Sequence, residues 1–305
     1  MPAYIIWTCY FTRSEKGPLM PLLDTMRKDA RFEVLSYNFS GKNITQDFLK
    51  EHFAAVKPDM VLCGFDRPEM VPVAYAAYHA NIPVAQIFAG DIAGGAWDDA
   101  DRFAISQYAS VLFVSGKAQK RRLEKALSWR KEMNDMPEIV LSGATHFDDM
   151  TPASFSPISV CAVDDYNVVL YNPPSFLDPD GIRKELDEIL ALIGYEKTFW
   201  FEPNGDPFSD LVMDYVGSKQ RPNIVLRKSV DRNRFLGCLT YCKRFIGNSS
   251  AMFYEGQAFP CEKVQVGVRN AYREPVEPGY ARPGASKNIS EGLYNYLERK
   301  NAGVD

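Results

Sequence analysis

The stretch RFIGNSSAMFYEG, Arg244 to Gly256, decides how the chain reads. Phe245 and Ile246 end a short apolar strand, Gly247 lets the backbone turn and approach a ligand, and Asn248, Ser249 and Ser250 lead into a helix-forming segment that carries Glu255. That order predicts an anion site, because the unpaired N–H groups of a new helix's first turn face outward with the positive end of its dipole. Ser249 and Ser250 add hydroxyl donors, and Glu255 would accept hydrogen bonds from a ribose diol. The same letters also fit an ordinary Asn/Ser helix cap.

Around this stretch the second half of the chain alternates strand and helix. Strand Asn167–Tyr171 runs into Asn172-Pro173-Pro174, a helix covers Asp180–Ile193, and strand Lys197–Glu202 opens into Pro203-Asn204-Gly205-Asp206-Pro207. A strand Asn223–Leu226, a helix Asp231–Cys242 and a last strand Lys263–Gly267 complete the pattern, with a terminal helix over Ile289–Lys300. The first half repeats it. Tyr4–Phe11 is a continuous apolar run suited to a strand buried on both faces, as in parallel sheets. Thr12–Gly17 reads as a loop and Pro18–Lys28 as a helix, and a third strand, Asp59–Cys63, opens into Gly64-Phe65-Asp66-Arg67-Pro68-Glu69. Strand Pro83–Phe88 ends in a glycine-rich turn followed by Asp98 and Asp99, which either cap the next helix or reach a site.

Length and composition set the outer bounds. At 305 residues, two domains of about 150 each are expected. The predicted fold is α/β, with two doubly wound, Rossmann-like domains facing a central cleft: residues 1–150, a linker at Thr151–Asp165, and residues 151–285. A C-terminal helix over 286–305 is placed to pack back on the first domain. A net charge of −4 excludes a wholesale nucleic-acid or membrane-surface binder. No apolar run approaches the roughly 20 residues of a membrane span, so a cytoplasmic protein with no membrane partner is expected. The six cysteines lack a C-x-x-C spacing and there are three histidines, which gives no metal site and no Ser-His-Asp triad. The segment from Lys117 to Lys131 gathers seven cations with Trp129; it reads as a solvated helix face or, alternatively, as a surface for a DNA acceptor.

Several stretches together resemble the UDP-N-acetylglucosamine 2-epimerases, nucleotide-sugar enzymes of the GT-B fold. TRSEKGPLMPLL (12–23) is similar to the family's TRxDYGxLxPLL, and GFDRPEM (64–70) to GDRFEM with one residue inserted. AGDIAGGAWDDADRFAI (89–105) is similar to GGDVTEGAIDESIRHAI, and SGATHFD (142–148) to VGxPxxD. EPNGDPFS (202–209) and LRKSVDRNRFLGCL (226–239) also have counterparts, as does GNSSAMFYE (247–255) followed by GVRNAYR (267–273). The resemblance implies a nucleotide diphosphate held by Arg13, Arg67, Gly247, Asn248, Ser249, Ser250 and Arg269, with the ribose on Glu255. It sets Asp66 and Arg67 at the family's catalytic Asp-Arg pair and Asp98 and Asp99 at its supporting carboxylates, and it carries homodimerisation through the first domain.

Two departures stand inside these motifs. The family's H-x-E (or H-x-H) before the glycines is Gln86-Ile87-Phe88, and its His-Pro after the first strand of the second domain is Asn172-Pro173. Each general acid/base step is worth about a hundred- to ten-thousandfold, so both losses bear on glycal chemistry. From sequence, the leading expectation is therefore a UDP-sugar glycosyltransferase with Asp66 as base and Glu69 or Asp99 in reserve. It needs no cofactor beyond its UDP-sugar substrate, and Phe88, Asp98 and Asn172 stand on the sugar or acceptor side. The alternatives are a 2-epimerase, hydrolysing or not, and an inactive nucleotide-sugar binder.

Overall fold

The computed structural model describes residues 3–94, 98–150, 165–205, 207–228, 230–277 and 279–303, without the Arg13 side chain. Two compact units emerge. The first comprises Met1–Asp91, Asp98–Asp149 and Val276–Asp305; the second comprises Ile92–Trp97 and Met150–Pro275. The expected linker at Thr151–Asp165 lies, except for Asp165, outside the described residues.

The first unit is a six-stranded parallel sheet in the order β2-β1-β3-β4-β5-β6. Its strands are β1 (Tyr4–Tyr10), β2 (Phe32–Asn38), β3 (Met60–Gly64), β4 (Val84–Ile87), β5 (Val111–Val114) and β6 (Glu138–Leu141). Between them run α1 (Arg13–Arg27), α2 (Gln46–Val56), α3 (Met70–His79), α4 (Asp98–Tyr108), α5 (Lys117–Ala126) and α6 (Ser128–Glu132). The inner strands β3, β4 and β5 are buried along their whole length, which is why they read as apolar runs interrupted only by Gln86.

The second unit is a five-stranded sheet in the order β11-β10-β7-β8-β9. It is built from β7 (Asn167–Leu170), α7 (Pro179–Ile193), β8 (Thr198–Phe201), α8 (Ser209–Ser218), β9 (Ile224–Arg227), α9 (Arg232–Thr240), β10 (Arg244–Gly247) and β11 (Glu262–Gln265). Successive residues feed opposite faces. Val168, Phe199 and Phe245 join one core, and Val169, Trp200 and Ile246 join the other. The last helix, α10 (Ala285–Asn301), belongs to the first unit, where Tyr4 donates to Glu298 at 2.6 Å and Arg31 pairs with Glu291 at 2.7 Å.

In each sheet the chain starts in the middle, winds outward to one side, then returns to the other side of its first strand. The switch points are therefore the β1/β3 and β7/β10 pairs, and ligands of such sheets bind outside the carboxyl ends of strands at that place.

Three elements differ from the sequence expectation. Arg13–Gly17 is helical rather than part of a loop, because Thr12 and Glu15 form a capping box that starts α1 at Arg13. No α-helix follows Gly247–Ser250. Two short 3₁₀ turns, Ser250–Met252 and Glu255–Ala258, stand there instead. Met252, Tyr254, Glu255 and Gly256 are all buried, and a continuous α-helix would have turned part of that run toward solvent. The basic helix is split at the buried Leu127 into α5 and α6. Among the described residues no helix is long and apolar enough to cross a membrane.

Candidate functional site

At the β7/β10 switch point the loops are joined by paired amides. The Asn172 N–H donates to Asn248 Oδ1 at 2.7 Å, and Asn248 Nδ2 returns a bond to the Asn172 carbonyl at 2.9 Å. Asn172 Oδ1 accepts the Asn204 N–H at 2.9 Å, and Asn270 Nδ2 donates to the Asn248 carbonyl at 2.6 Å. Asn172, Asn248 and Asn270 are all buried, so each bond replaces one that water can no longer make. Gly247 has φ +135°, and a Cβ there would lie 2.2 Å from the Leu170 carbonyl oxygen, so only glycine lets β10 pass so close to β7. Asn172 thus acts in the scaffold of the loop, a role its place on the sugar or acceptor side did not anticipate.

Around this clamp sit the other expected residues of the second unit. Ser249 is buried and caps the first 3₁₀ turn through the Ala251 N–H, while Ser250 is exposed. Arg269 donates from Nη1 to the Pro173 carbonyl at 3.1 Å, which brings its guanidinium to the carboxyl end of β7. Glu255 is buried and paired with Arg232, Nε to Oε1 at 3.3 Å; burial pushes its carboxyl up and Arg232 partly restores it. Arg232 was not singled out from sequence, although it opens a helix one residue after the capping Asp231. The short 3₁₀ turns carry no helix-long dipole, so any anion affinity here rests on hydroxyls, local N–H groups and Arg269.

The β1/β3 switch point is built from charges. Asp66 is ion-paired with Arg102, whose side chain is only 3% exposed and also reaches Asp99 Oδ1 at 3.5 Å. Gln86 fixes that residue's backbone: its Nε2 donates to the Arg102 carbonyl at 3.0 Å, and Ser106 Oγ donates to Gln86 Oε1 at 2.6 Å. One buried guanidinium therefore gathers the two aspartates that sequence had named separately. Arg67 is paired with Glu69 at 3.2 Å. Asp101 is pushed up by burial, then by Asp98 and Glu69, so this edge carries a concentrated negative field. Glu15 is buried at the start of α1, where Oε2 accepts the Phe11 and Thr12 N–H groups at 2.9 and 2.7 Å; burial raises its carboxyl and Arg67 opposes the rise. Arg13 is the first residue of α1, and its side chain lies outside the described residues.

Phe88 is a buried ring. It stacks on Phe65 at 5.0 Å and meets His146 edge-on at 4.8 Å. Both phenylalanines take positive φ, 70° for Phe65 and 56° for Phe88, a strained backbone that bulky residues rarely adopt. Arg102 and His146 escaped the sequence reading. An arginine three residues after Asp99 was a legible ion-pair spacing, whereas nothing local in the sequence links His146 to Phe88.

The basic segment is partly structural. Arg122 donates to the Gly90 carbonyl, and Arg130 is buried against Asp135 at 2.8 Å and the Ala109 carbonyl at 2.8 Å.

Comparison with known proteins agrees with the fold. Residues 41–300 match the family described as UDP-N-acetylglucosamine 2-epimerase. The chain belongs to that family. A UDP-N,N'-diacetylbacillosamine 2-epimerase (hydrolyzing) of Legionella pneumophila is 29% identical over 234 residues, 73% of this chain and 60% of the relative. A GDP/UDP-N,N'-diacetylbacillosamine 2-epimerase (hydrolyzing) of Campylobacter jejuni is 23% identical over 72% of this chain and 59% of the relative. This family member thus spans about 60% of the length of these curated relatives. Among solved structures, S. aureus MnaA with UDP superposes with a TM-score of 0.72 at 16% identity, covering 98% of this chain and 89% of that one. A Methanocaldococcus jannaschii UDP-GlcNAc 2-epimerase in complex with UDP-GlcNAc and UDP gives 0.70 at 16% identity, covering 96% and 92%. The fold is that of these 2-epimerases, the GT-B type.

Proposed function

We propose that the chain is a nucleotide-diphosphate-sugar enzyme of the 2-epimerase type, acting on a UDP-linked N-acetylated amino sugar. The observation that carries this reading is the Asp66–Arg102–Asp99 cluster, two carboxylates on one buried guanidinium at a switch point, in a chain of this family. In the second unit, Ser249, Ser250, the N–H groups around Asn248 and Arg269 would hold the diphosphate, with Arg13 and Arg67 as further cations and Glu255 toward the ribose. Donors fixed before the reaction stabilise the charge that grows as UDP departs.

The chemistry is elimination followed by addition. A base takes the proton from C2 of the sugar while the electrons of that C–H bond form C1=C2 and the C1–O bond breaks toward UDP. A second group then returns a proton to C2, and in the hydrolysing variant water adds at C1. Asp66 is assigned the first role, with Glu69 close by on Arg67, and Asp99 the second, with Asp98 beside it on the first turn of α4. Phe88 stands, just after β4, where the family has a titratable group. His146 packs edge-on against that ring.

A second reading, a UDP-sugar glycosyltransferase with Asp66 deprotonating an acceptor hydroxyl, is favoured by the buried Phe88 and the scaffold role of Asn172. Incubation with UDP-GlcNAc or UDP-N,N'-diacetylbacillosamine in D2O, followed by NMR, separates the two. UDP release with deuterium at C2 of the freed sugar is expected. Turnover that requires an acceptor and leaves C2 protonated would establish the transferase, and UDP binding without turnover would establish an inactive binder. Homodimerisation is part of the proposal, supported by the exposed rings of Tyr75, Tyr78 and Trp129 on the first unit and read by sedimentation velocity.

A further inference from the structure

Cys242 and Cys261 stand just before the first residues of two neighbouring parallel strands. Cys242 lies two residues before β10 and Cys261 one residue before β11. The Glu262 N–H donates to the Lys243 carbonyl at 3.0 Å, so the two strands are already hydrogen-bonded neighbours where they begin. The Arg244–Glu262 register sets Cys261 beside Lys243 and Cys242 one residue further back; with strands about 4.8 Å apart and about 3.3 Å of rise per residue, such diagonal neighbours stay within the roughly 4.4–6.8 Å between Cα atoms that a disulfide spans. Both side chains join the core on the same face of the sheet, with Phe245 and Phe259. The neighbouring sulfurs act on each other, raising Cys242 and lowering Cys261; Lys263 adds to the lowering and burial opposes it, while the Cys242 S–H is directed to the Leu239 carbonyl at 3.5 Å. A low-lying thiol beside a second sulfur is the arrangement of an oxidisable pair.

The protein contains its own control. Cys9 on β1 and Cys63 on β3 also face each other across adjacent strands, one residue beyond the Thr8–Leu62 register pair. Burial pushes both thiols up, Cys63 to about 12, and their exposures are 1% and 0% against 7% and 5% for Cys242 and Cys261. All four thiols are buried, the first pair all but completely and the second with a few per cent of its surface exposed.

We propose that Cys242 and Cys261 are a peroxide-oxidisable pair whose disulfide closes the base of the β10–β11 loop. The Cys261 thiolate attacks a peroxide oxygen; the O–O bond breaks, hydroxide leaves, and Cys261 becomes a sulfenic acid. The Cys242 sulfur then attacks that sulfur, an S–S bond forms, the S–O bond breaks, and water departs with the Cys242 proton. Two thiols and one hydrogen peroxide give one disulfide and two waters. The enclosed chain, residues 243–260, carries Gly247, Asn248, Ser249, Ser250 and Glu255. A consequence for nucleotide binding therefore rests on the function proposed above, while the crosslink itself does not.

The test treats the full chain with hydrogen peroxide under native conditions, blocks remaining thiols and maps peptides by mass spectrometry. A peptide joining Cys242 to Cys261, two hydrogens lighter and split by dithiothreitol, is expected while Cys9 and Cys63 stay reduced. In Cys242→Ser, Cys261 should instead be trapped by dimedone as a sulfenic acid. If Cys242 and Cys261 remain thiols, oxidise no faster than Cys9, or pass to sulfinic acids without joining, the proposal is overturned; the wild-type map alone decides this should the variant fail to fold. Calorimetry with UDP on oxidised and reduced protein reads the consequence, with a dissociation constant shifted about threefold or more and restored by dithiothreitol. A crosslink with unshifted UDP affinity overturns the effect on the loop. UDP binding without any crosslink overturns the pair and leaves the nucleotide reading standing.

Discussion

At the β7/β10 switch point the loops are tied together by neutral amides, and at the β1/β3 switch point by charges gathered on the buried Arg102. The first region closes on itself. Asn172, Asn248 and Asn270 satisfy one another and the loop carbonyls. The second region concentrates acids around Arg102 and Arg67. Under the function proposed above, the first would hold the nucleotide and the second would carry the proton chemistry. Both departures from the family pattern fall on these regions. Asn172 leaves a group that only holds, and Phe88 removes a group that titrates.

The contrast is challenged hardest by Arg102→Met. It leaves Asp66 and Asp99 facing a buried apolar chain, and losing one partner of a buried ion pair costs about 3–5 kcal/mol. Urea unfolding should show that loss, whereas equal stability of variant and wild type would mean that the cluster is solvated. Gly247→Ala strikes the other region through the backbone. The new Cβ meets the Leu170 carbonyl in a conformation disfavoured for L-residues, an expected loss of about 1–3 kcal/mol with weakened UDP binding, read by thermal melts and calorimetry. A variant that melts and binds like wild type would show that the strands can part there without consequence.

Smaller and dependent on pH is Glu15→Gln. The folded state holds the Glu15 proton more tightly than the unfolded state does, so its contribution is complete below the unfolded carboxyl's range and is lost as pH rises through the raised folded value. Glutamine keeps an oxygen for the Phe11 and Thr12 N–H groups and does not titrate. The stability of wild type relative to Glu15→Gln should therefore fall from acid toward neutral pH, and a rise would refute the burial account. Glu196 in the second unit has the opposite sign. Lys243 and Asn167, then Arg244, hold it at about 2, so its contribution is lost only as pH falls from the ordinary carboxylate range toward that value.

Much of this layout is legible in the chain itself. The apolar runs Tyr4–Tyr10 and Met60–Gly64 announce parallel strands because both faces are covered, and Gly247 announces the close approach it makes to Leu170. What stays hidden is whatever depends on contacts distant in sequence. Asp66 and Arg102 are 36 residues apart, and Asn172 and Asn248 are 76 apart; no local spacing couples either pair. The helix expected after Ser250 failed for a related reason, since burial of Met252, Tyr254, Glu255 and Gly256 overrides local helix preference. The loop expected at Thr12–Gly17 failed differently, because Thr12 and Glu15 spelled a capping box that the glycine and Pro18 obscured.

Whether the second unit grips the nucleotide while the first performs the proton chemistry is decided by Asp66→Asn. Wild type and variant are compared for UDP affinity by calorimetry and for deuterium at C2 of the freed sugar in D2O. Unchanged UDP affinity is expected, with deuterium incorporation reduced at least about a hundredfold. Weakened UDP binding, or incorporation that persists in the variant, would contradict this division of labour.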